Sequence, residues 1–251
     1  MLKVIIWGIG GRMGRTLLET ISNKENVTCV GGFDKFADPA AFSVPVFNDV
    51  DSIDVKADVI IDFSRAEAIY ELLPFAKANK LGVVLCSTGH SDKDVEFVKS
   101  YSKDVAIFKA SNMSLGVNLL IELVKKAAEC LMNDYDIEII EQHHNVKVDA
   151  PSGTALTIAK AINGEFNDEK EFVFGRHSMN ERRKKQEIGI HAVRGGTVVG
   201  KHNVMFLGND EIISISHEAQ SKAVFTVGAV RAALFIADKA PGMYDMPDMI
   251  K

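Results

Sequence analysis

The side chains best suited to proton transfer lie together in one stretch of fifteen residues, 141–155, with the sequence EQHHNVKVDAPSGTA. It contains His143, His144 and Lys147, and a Ser-Gly-Thr turn follows at 152–154. Imidazole and ammonium groups can donate protons near neutral pH when their surroundings tune them. A turn that opens a helix offers free backbone N–H groups to anions. The stretch therefore indicates a site for a substrate that carries a carboxylate.

The histidines and the lysine also have simpler explanations. A single His or Lys is more often structural than catalytic, and adjacent residues of an extended segment point to opposite faces, so one ring can be merely solvated. A metal site is disfavoured, because the sequence has no His-Glu-x-x-His motif and no paired Cys-x-x-Cys. We expect no bound metal, and the surrounding elements must decide between the remaining alternatives.

Two predicted elements hold this stretch in place. The alternating run Tyr135–Ile140 precedes it and is typical of a strand. The run Thr154–Ile162 follows it and predicts a helix, with Ser152 or Thr154 as the N-cap. The polar groups are therefore delivered at a strand end and at a helix N-terminus.

A glycine-rich turn at the start of the chain indicates a dinucleotide site. The apolar run Lys3–Trp7 predicts a buried parallel strand, and a helix-like run, Arg15–Ser22, follows the turn. Between them the chain has the G-x-G-x-x-G pattern in its required setting, in which Gly8 permits the tight turn, Gly10 the approach of a pyrophosphate and Gly14 close helix–strand contact. Taken alone, the motif is also compatible with a turn that binds no ligand.

An acidic residue stands where the adenosine ribose is usually bound. The strand predicted over Val27–Phe33 ends at Asp34, twenty residues beyond Gly14. Asp34 would accept from the ribose 2′-OH, while Lys35 could pair with a 2′-phosphate. Because the carboxylate should repel that phosphate, we expect NADH to be used at least as well as NADPH. Asp34 could instead be a turn residue.

The first half of the chain alternates strands with helices. Further buried strands are predicted over Ala57–Phe63, Gly82–Cys86 and Val105–Phe108, and a helix over 66–79 in which Pro74 predicts a kink or a break. This alternation is typical of a doubly wound parallel sheet, an α/β architecture. Ligands bind such sheets at the strand carboxyl ends, where Phe63, Ser87–Gly89 and Ala110–Met113 fall.

The second half follows a different pattern. After a long helix over Leu115–Met132, consecutive strands separated by glycine-containing turns are predicted over Ile188–Arg194, Thr197–Leu207 and Glu211–His217. They predict a central α+β domain with a mainly antiparallel sheet. We expect a dinucleotide-binding domain from residues 1–114 and 222–251, and a substrate-binding and oligomerisation domain from residues 115–221.

Two further segments lead to definite expectations. The basic run Arg182–Lys185 is interpreted as a solvated loop. The last helix, over Ala223–Lys239, is rich in alanine and valine and should be well buried, with 241–244 ending it.

Composition restricts the class of protein. Among 251 residues, 47% are hydrophobic and 25% charged, which is ordinary for a globular protein. The net charge of −5 argues against a nucleic-acid binder, and no apolar run reaches the length of a membrane span. Three widely spaced cysteines suggest reduced thiols. We therefore expect a cytoplasmic enzyme or sensor without nucleic-acid or membrane partners.

Taken together, the motifs resemble the 4-hydroxy-tetrahydrodipicolinate reductase (dihydrodipicolinate reductase) family. The segments that carry the resemblance are Gly8–Gly14, Glu141–His144 with Lys147, and Asp149–Ala155, and the likeness extends over nearly the whole chain. It implies a Rossmann-type cofactor domain completed by the C-terminal helix, a substrate domain and a homotetramer. It also implies hydride transfer from NADH or NADPH to a cyclic imine dicarboxylate in lysine biosynthesis through the diaminopimelate pathway.

The resemblance carries roles onto individual residues. His143 matches the proton donor and acceptor and Lys147 a second proton donor. His144, Gly153 and Thr154 match substrate contacts, and Ser152 belongs to the same turn. The expected cofactor contacts are Gly8, Ile9, Gly10, Gly11, Arg12, Met13, Asp34, Lys35, Phe63, Cys86, Ser87, Thr88, Ala110, Ser111, Asn112 and Met113.

The sequence departs from the family pattern at three places. Cys86-Ser87-Thr88-Gly89 replaces a Gly-Thr-Thr-Gly segment, Lys222 replaces an arginine, and Lys35 stands where an arginine can meet the 2′-phosphate. Two other functions are weighed beside the reductase. An aspartate dehydrogenase-like enzyme would account for the N-terminal half and leave the His-His-x-x-Lys block unexplained. A non-enzymatic NAD(H) redox sensor would need no clustered proton donors beside an anion-binding turn.

Overall fold

The structure, a computed structural model, describes residues 1–131 and 134–250, and the predicted helix end at Met132 lies outside them. The strands are β1 (Leu2–Trp7), β2 (Val27–Phe33), β3 (Val46–Phe47), β4 (Val59–Asp62), β5 (Gly82–Leu85), β6 (Ala106–Lys109), β7 (Asp136–His143), β8 (Glu171–Phe174), β9 (Glu187–Arg194), β10 (Gly200–Leu207), β11 (Ile212–Ala219) and β12 (Gly242–Tyr244). The helices are α1 (Arg12–Ser22), α2 (Ile69–Asn79), α3 (Asp92–Tyr101), α4 (Leu115–Leu131), α5 (Gly153–Gly164), α6 (Ala223–Ile236) and α7 (Met246–Ile250).

The first of two compact units, Met1–Leu115 with Ala223–Lys251, is built on a seven-stranded sheet in the order β12-β6-β5-β4-β1-β2-β3. Every strand pair in it is parallel. The apolar residues of β1 alternate between two cores, with Ile6 packing in the cluster that contains α6 and Ile5 in the cluster that contains α2. Fully burying such a side chain contributes about 2 kcal/mol. The predicted doubly wound parallel sheet is confirmed.

One strand and two helices of this unit differ from the sequence predictions. Residues 242–244 were expected only to end the last helix, but they form β12 and pair with β6. A kink or a break was predicted at Pro74, and the break does not occur, because helix α2 continues through Pro74 to Asn79. Helix α3 was not predicted, although Ser91 and Asp94 form a capping box at its start.

The second unit, Gly116–Lys222, has a five-stranded sheet in the order β11-β10-β7-β9-β8. Strand β10 is antiparallel to β7 and β11, whereas β9 is parallel to β7 and β8. The sheet is therefore mixed instead of mainly antiparallel, and β9 and β10 form no hairpin because β7 lies between them. Its inner face packs Ile139 and Val204 against Val124 of α4 and Ile158 of α5.

The basic run at 182–185 is not uniformly solvated. The Arg183 guanidinium is 16% exposed and forms ion pairs with Asp136 at 2.7 Å and Glu138 at 3.0 Å. It also donates to the backbone carbonyl of Glu187 at 2.6 Å. The expectation of a solvated loop is wrong for this residue, because local charge counting cannot reveal carboxylates supplied by a distant strand.

No helix in the described parts of the chain, 1–131 and 134–250, is long and apolar enough to cross a membrane.

Candidate active site

The glycine turn of the first unit is closely packed. Gly8 has a φ of +81°, and a Cβ there would lie 2.9 Å from the backbone of Ser64. A Cβ on Gly14 would lie 2.2 Å from the carbonyl oxygen of Gly8. Helix α1 begins at Arg12, earlier than predicted, with Gly11 as its N-cap. The turn therefore requires glycine where the dinucleotide pattern has it, and it presents a helix N-terminus suited to phosphate.

Asp34 lies beside this turn at the end of β2. One carboxylate oxygen accepts from the N–H of Gly10 at 3.0 Å and the other from the N–H of Phe36 at 3.0 Å. The adjacent Lys35 forms an ion pair with Glu71 at 2.6 Å, in which both side chains are about half exposed. The acidic group is thus fixed at the turn, and the neighbouring cation already has a carboxylate partner.

A cavity of about 700 Å³ opens next to these residues, which is the size of a small-molecule site. Its lining includes five of the residues predicted to contact the cofactor and adds others that were not predicted, among them Arg65 and Tyr70. The five are Gly8, Gly11, Asp34, Lys35 and Phe63.

The other predicted cofactor residues are spread along the same edge of the sheet. Ile9 and Gly10 lie in the glycine turn, and Arg12 and Met13 form the first turn of α1. The segments Cys86–Thr88 and Ala110–Met113 follow β5 and β6. Neither segment lines the cavity of about 700 Å³. Burial raises the pKa of the Cys86 thiol well above its usual range, which disfavours the thiolate.

Asp62, which sequence reasoning treated only as part of a strand, is fully buried at the end of β4. It accepts from the N–H of Ser64 at 2.9 Å, from the Ser64 hydroxyl and from the Ser87 hydroxyl at 2.5 Å. Desolvation by burial raises the pKa of Asp62, and these neutral donors oppose the rise only in part. The carboxyl group ties the loop after β4 to the loop after β5.

In the second unit, Glu141 and His143 lie on the same face of β7 as its buried apolar residues. Ile137, Ile139, Glu141 and His143 occupy successive buried positions on one face of the strand. The predicted strand ended at Ile140, but the observed strand extends to His143. His143 is therefore held by the sheet itself and is only 8% exposed.

Glu141 is completely buried and accepts four hydrogen bonds. Its Oε2 contacts His143 Nδ1 at 2.6 Å and one terminal nitrogen of Arg194 at 2.8 Å. Its Oε1 accepts from the second Arg194 nitrogen at 2.7 Å and from the N–H of Ser152 at 2.9 Å. Burial alone would raise the pKa of Glu141, but the hydrogen bonds from Arg194 and His143 outweigh it and the pKa is lowered. The group is an anion.

The environment of His143 combines opposing influences. Burial lowers the pKa of His143, the Glu141 carboxylate raises it, and the charges of Lys147 and Arg194 lower it, with a net lowering. The ring of His202 on β10 lies 5.3 Å away, edge to face. His202 Nε2 and the Ser152 hydroxyl are 3.1 Å apart, and burial lowers the pKa of His202 to about 4.

The rest of the predicted substrate residues surround the start of α5. Of the two predicted N-cap candidates, Ser152 and Thr154, Ser152 is the N-cap, and its hydroxyl accepts from the N–H of Ala155 at 3.1 Å. Gly153 is exposed, and a Cβ there would meet no atom within 4 Å. Lys147 forms an ion pair with Asp149 at 2.7 Å. His144, Ser152 and Thr154 are partly or fully buried, and they belong with Lys147 to one continuous segment of the chain.

Sequence reasoning missed the roles of Glu141, Arg194 and His202. One signal for the first was available, because Glu141 stands in phase with the apolar residues of β7, where a carboxylate must be buried and paired. Arg194 and His202 lie on β9 and β10, which flank β7 only in the folded sheet. No local pattern could have revealed that contact.

Comparisons with known proteins agree on one family. Its profiles, described as "Dihydrodipicolinate reductase, N-terminus" and "Dihydrodipicolinate reductase, C-terminus", match residues 2–113 and 116–250. A 4-hydroxy-tetrahydrodipicolinate reductase of Caldanaerobacter subterraneus subsp. tengcongensis is 48% identical over 100% of this chain and 99% of its own length. One of Clostridium novyi is 45% identical over 100% of this chain and 99% of its own length.

Solved structures show the same fold. A dipicolinate-bound dihydrodipicolinate reductase from Paenisporosarcina sp. TG-14 has a TM-score of 0.80 at 24% identity, covering 98% of this chain and 97% of that one. A probable dehydrogenase from Thermotoga maritima has a TM-score of 0.63 at 14% identity, covering 99% and 92%. With both profiles matched and full-length relatives above 40% identity, the chain belongs to the dihydrodipicolinate reductase family.

Proposed function

We propose that this chain reduces 4-hydroxy-tetrahydrodipicolinate to tetrahydrodipicolinate, with loss of water, using NADH or NADPH in lysine biosynthesis through the diaminopimelate pathway. The observation that carries the proposal is the arrangement around Glu141. It bonds His143 at 2.6 Å and the N–H of Ser152 at 2.9 Å, so one anion holds a candidate proton donor and a candidate carboxylate-binding turn. The relatives' name supplies the substrate.

In this proposal the second unit binds the substrate and supplies protons. A substrate carboxylate meets the N-terminal turn of α5 at Gly153 and Thr154, where the helix N-terminus attracts anions. Ser152 supports that turn, because its own N–H is held by Glu141. His144 lies beside the same segment. The bound dinucleotide supplies the hydride. His143 Nε2 or Lys147 Nζ then donates a proton to the enamine that hydride transfer leaves. The electrons of the broken N–H bond remain on the donor nitrogen.

The first unit is proposed to bind the dinucleotide. The glycine turn 8–14 fits a pyrophosphate, because side chains at Gly8 and Gly14 would clash with backbone. Asp34 would accept from the ribose hydroxyls, and Phe63 and Arg65 line the same cavity. The segments Cys86–Thr88 and Ala110–Met113 would contact the remainder of the cofactor.

For cofactor choice we propose that NADH is used at least as well as NADPH. Asp34 places a carboxylate beside the glycine turn, and a 2′-phosphate would be repelled there. Lys35 could attract that phosphate, but it is paired with Glu71 at 2.6 Å.

We also propose the division of labour, the assembly and the location. Residues 1–114 and 222–251 would bind the dinucleotide, and residues 115–221 would bind substrate and form a homotetramer. Large apolar side chains exposed in the second unit support that assembly, and they include Leu119, Leu123, Phe174, Val193 and Ile212. Cys29, Cys86 and Cys130 are free thiols, which suits the cytoplasm.

One assay tests the proposed reaction. Freshly prepared 4-hydroxy-tetrahydrodipicolinate is added to the enzyme with NADH or NADPH, and the absorbance of the reduced nicotinamide is followed. We expect substrate-dependent oxidation of the dinucleotide. Binding of the dinucleotide without turnover would favour the redox sensor, and turnover only with an amino acid such as aspartate would favour the dehydrogenase alternative.

A further inference from the structure

The buried carboxylate of Glu141 has a chemical task that the family assignment leaves open. We propose that Glu141 is a positioning residue that fastens the ring of His143 and the turn at Ser152 to one anion, so that a proton can leave only from Nε2 of His143. The inference rests on the proposed function, in which His143 is a proton donor.

Glu141 holds the His143 ring through one of its two nitrogens, Nδ1. Oε2 of Glu141 lies 2.6 Å from His143 Nδ1 and also accepts from Arg194 at 2.8 Å. Because this carboxylate is ionised, it can only accept, so Nδ1 must carry the proton. The neutral ring is therefore held with a bare Nε2, and the protonated ring has Nε2–H as its transferable proton.

The other ring nitrogen, Nε2, lies beside a glycine of β10. Residue 200 on β10 is glycine, and a Cβ there would lie 3.1 Å from Nε2. No hydrogen-bond partner of Nε2 is found among residues 1–131 and 134–250. A side chain at residue 200 would crowd the nitrogen that must reach the substrate. The ring is thus fixed through Nδ1, while Nε2 keeps no hydrogen-bond partner among these residues.

The Glu141 carboxylate that holds His143 also holds the turn at Ser152. Oε1 accepts from the backbone N–H of Ser152 at 2.9 Å and from Arg194 at 2.7 Å. The same Arg194 nitrogen donates to the carbonyl oxygen of Asp149 at 2.6 Å. Arg194 therefore braces both the carboxylate and the segment that leads into the turn. A shift of Glu141 would move the proton donor and the anion-binding turn together.

Other charged or titratable groups around His143 come from several elements. Lys147 follows β7, Arg194 ends β9 and His202 lies on β10. The two cations oppose protonation of the ring, and His202 stays neutral near pH 7 because burial lowers its pKa to about 4. Among these groups only Glu141 favours the imidazolium, so its removal should make His143 a weaker proton carrier.

The test compares Glu141→Gln in two backgrounds. In the wild type we expect kcat to fall at least about tenfold and the alkaline limb of its pH profile to move down by about one pH unit. In a His143→Gln background the same substitution should change kcat less than about twofold, because the ring that Glu141 positions is gone, whereas loss of its bond to the turn at Ser152 should raise the KM for the substrate in both backgrounds. An equal loss of kcat in both backgrounds would overturn the inference, whereas an unchanged rate in His143→Gln alone would overturn the proposed function instead.

A spectroscopic measurement keeps the inference testable without turnover. In protein labelled with ¹⁵N-histidine, the His143 signals are assigned by their loss in His143→Gln. We expect the neutral ring to be protonated at Nδ1 in the wild type and to lose that preference in Glu141→Gln. A ring protonated at Nε2 in the wild type would contradict the inference.

One matched variant separates positioning from general destabilisation. Glu187→Gln removes another buried carboxylate paired with an arginine, Arg176 at 2.7 Å, and should leave the His143 signals and the pH profile unchanged. A downward movement of the alkaline limb in Glu187→Gln equal to that in Glu141→Gln would count against the inference.

Discussion

Each unit of the molecule buries one carboxyl group completely near the end of a central strand. The two groups differ in whether a hydrogen-bond donor around them carries a charge. Asp62 closes β4 and accepts only from neutral groups of Ser64 and Ser87. Glu141 lies near the end of β7 and accepts from the guanidinium of Arg194, from an imidazole and from a backbone N–H. Burial raises the pKa of Asp62, whereas the donors around Glu141 outweigh burial and lower its pKa.

The difference shows that burial alone does not fix the charge of an acid. Neutral donors let Asp62 join two loops without needing a counter-ion. A paired cation keeps Glu141 ionised, and only an ionised carboxylate can hold a histidine in one tautomer. The first arrangement suits a fixed connection between two loops, and the second suits the fixing of one ring nitrogen of a histidine.

The largest expected effect comes from replacing each acid by its amide. In Glu141→Gln the new amide nitrogen faces donors from Arg194 and His143, so a buried cation loses its partner, and we expect a loss of about 3 kcal/mol in the free energy of unfolding. In Asp62→Asn the new amide can donate to the Ser87 hydroxyl, which reverses its role, so the loss should be about 1 kcal/mol. Urea denaturation of both variants measures the difference, and equal losses would break the comparison.

The next effect is the pH dependence of stability that arises from His202, the buried neighbour of His143. Because the pKa of His202 is lowered to about 4 by burial, the unfolded chain takes up the proton first as the pH falls. Stability should therefore fall between about pH 6.5 and pH 4, by up to about 3 kcal/mol from this residue. Urea unfolding across this range should show a smaller pH dependence in His202→Gln. The exposed control His177→Gln should behave like the wild type, and an identical slope in all three would refute the account of His202.

The smallest expected effect concerns an ion pair that is exposed, unlike that of Glu141. The Lys35 and Glu71 side chains are 49% and 43% exposed, so their pairing contributes little. Glu71→Gln should free Lys35 for a 2′-phosphate and improve NADPH affinity relative to NADH by about threefold. Fluorescence titration with both dinucleotides checks this. The gain should vanish in Lys35→Ala, and a gain that persists there would remove Lys35 from cofactor choice.

Local patterns predicted the parts of the fold that are continuous in sequence. The strand over Val27–Phe33 was predicted with its observed bounds, because the run ends at Asp34. The glycine turn was predicted because backbone contact at Gly8 and Gly14 excludes side chains. Ser152 was predicted as a possible N-cap from its position before the helix.

Contacts between distant segments could not be predicted in this way. Strand β12 has only three residues, Gly242–Tyr244, and exists because β6 offers it an edge. The insertion of β7 between β9 and β10 depends on the order of strands in the sheet, which no turn signal records. For the same reason the histidines at 143 and 144 were visible in the sequence, while the anchoring of His143 through Glu141 and Arg194 was not.

The central claim is that His143 and Lys147 are the proton donors of a reductase, and steady-state kinetics of His143→Gln and Lys147→Ala test it most directly. With freshly made 4-hydroxy-tetrahydrodipicolinate, each variant should lose about 100-fold or more in kcat, the usual scale for a positioned proton donor, while dinucleotide affinity stays within about twofold. Lys160→Ala, an exposed lysine on α5, should keep the wild-type rate. Unchanged rates in both His143→Gln and Lys147→Ala would contradict the account.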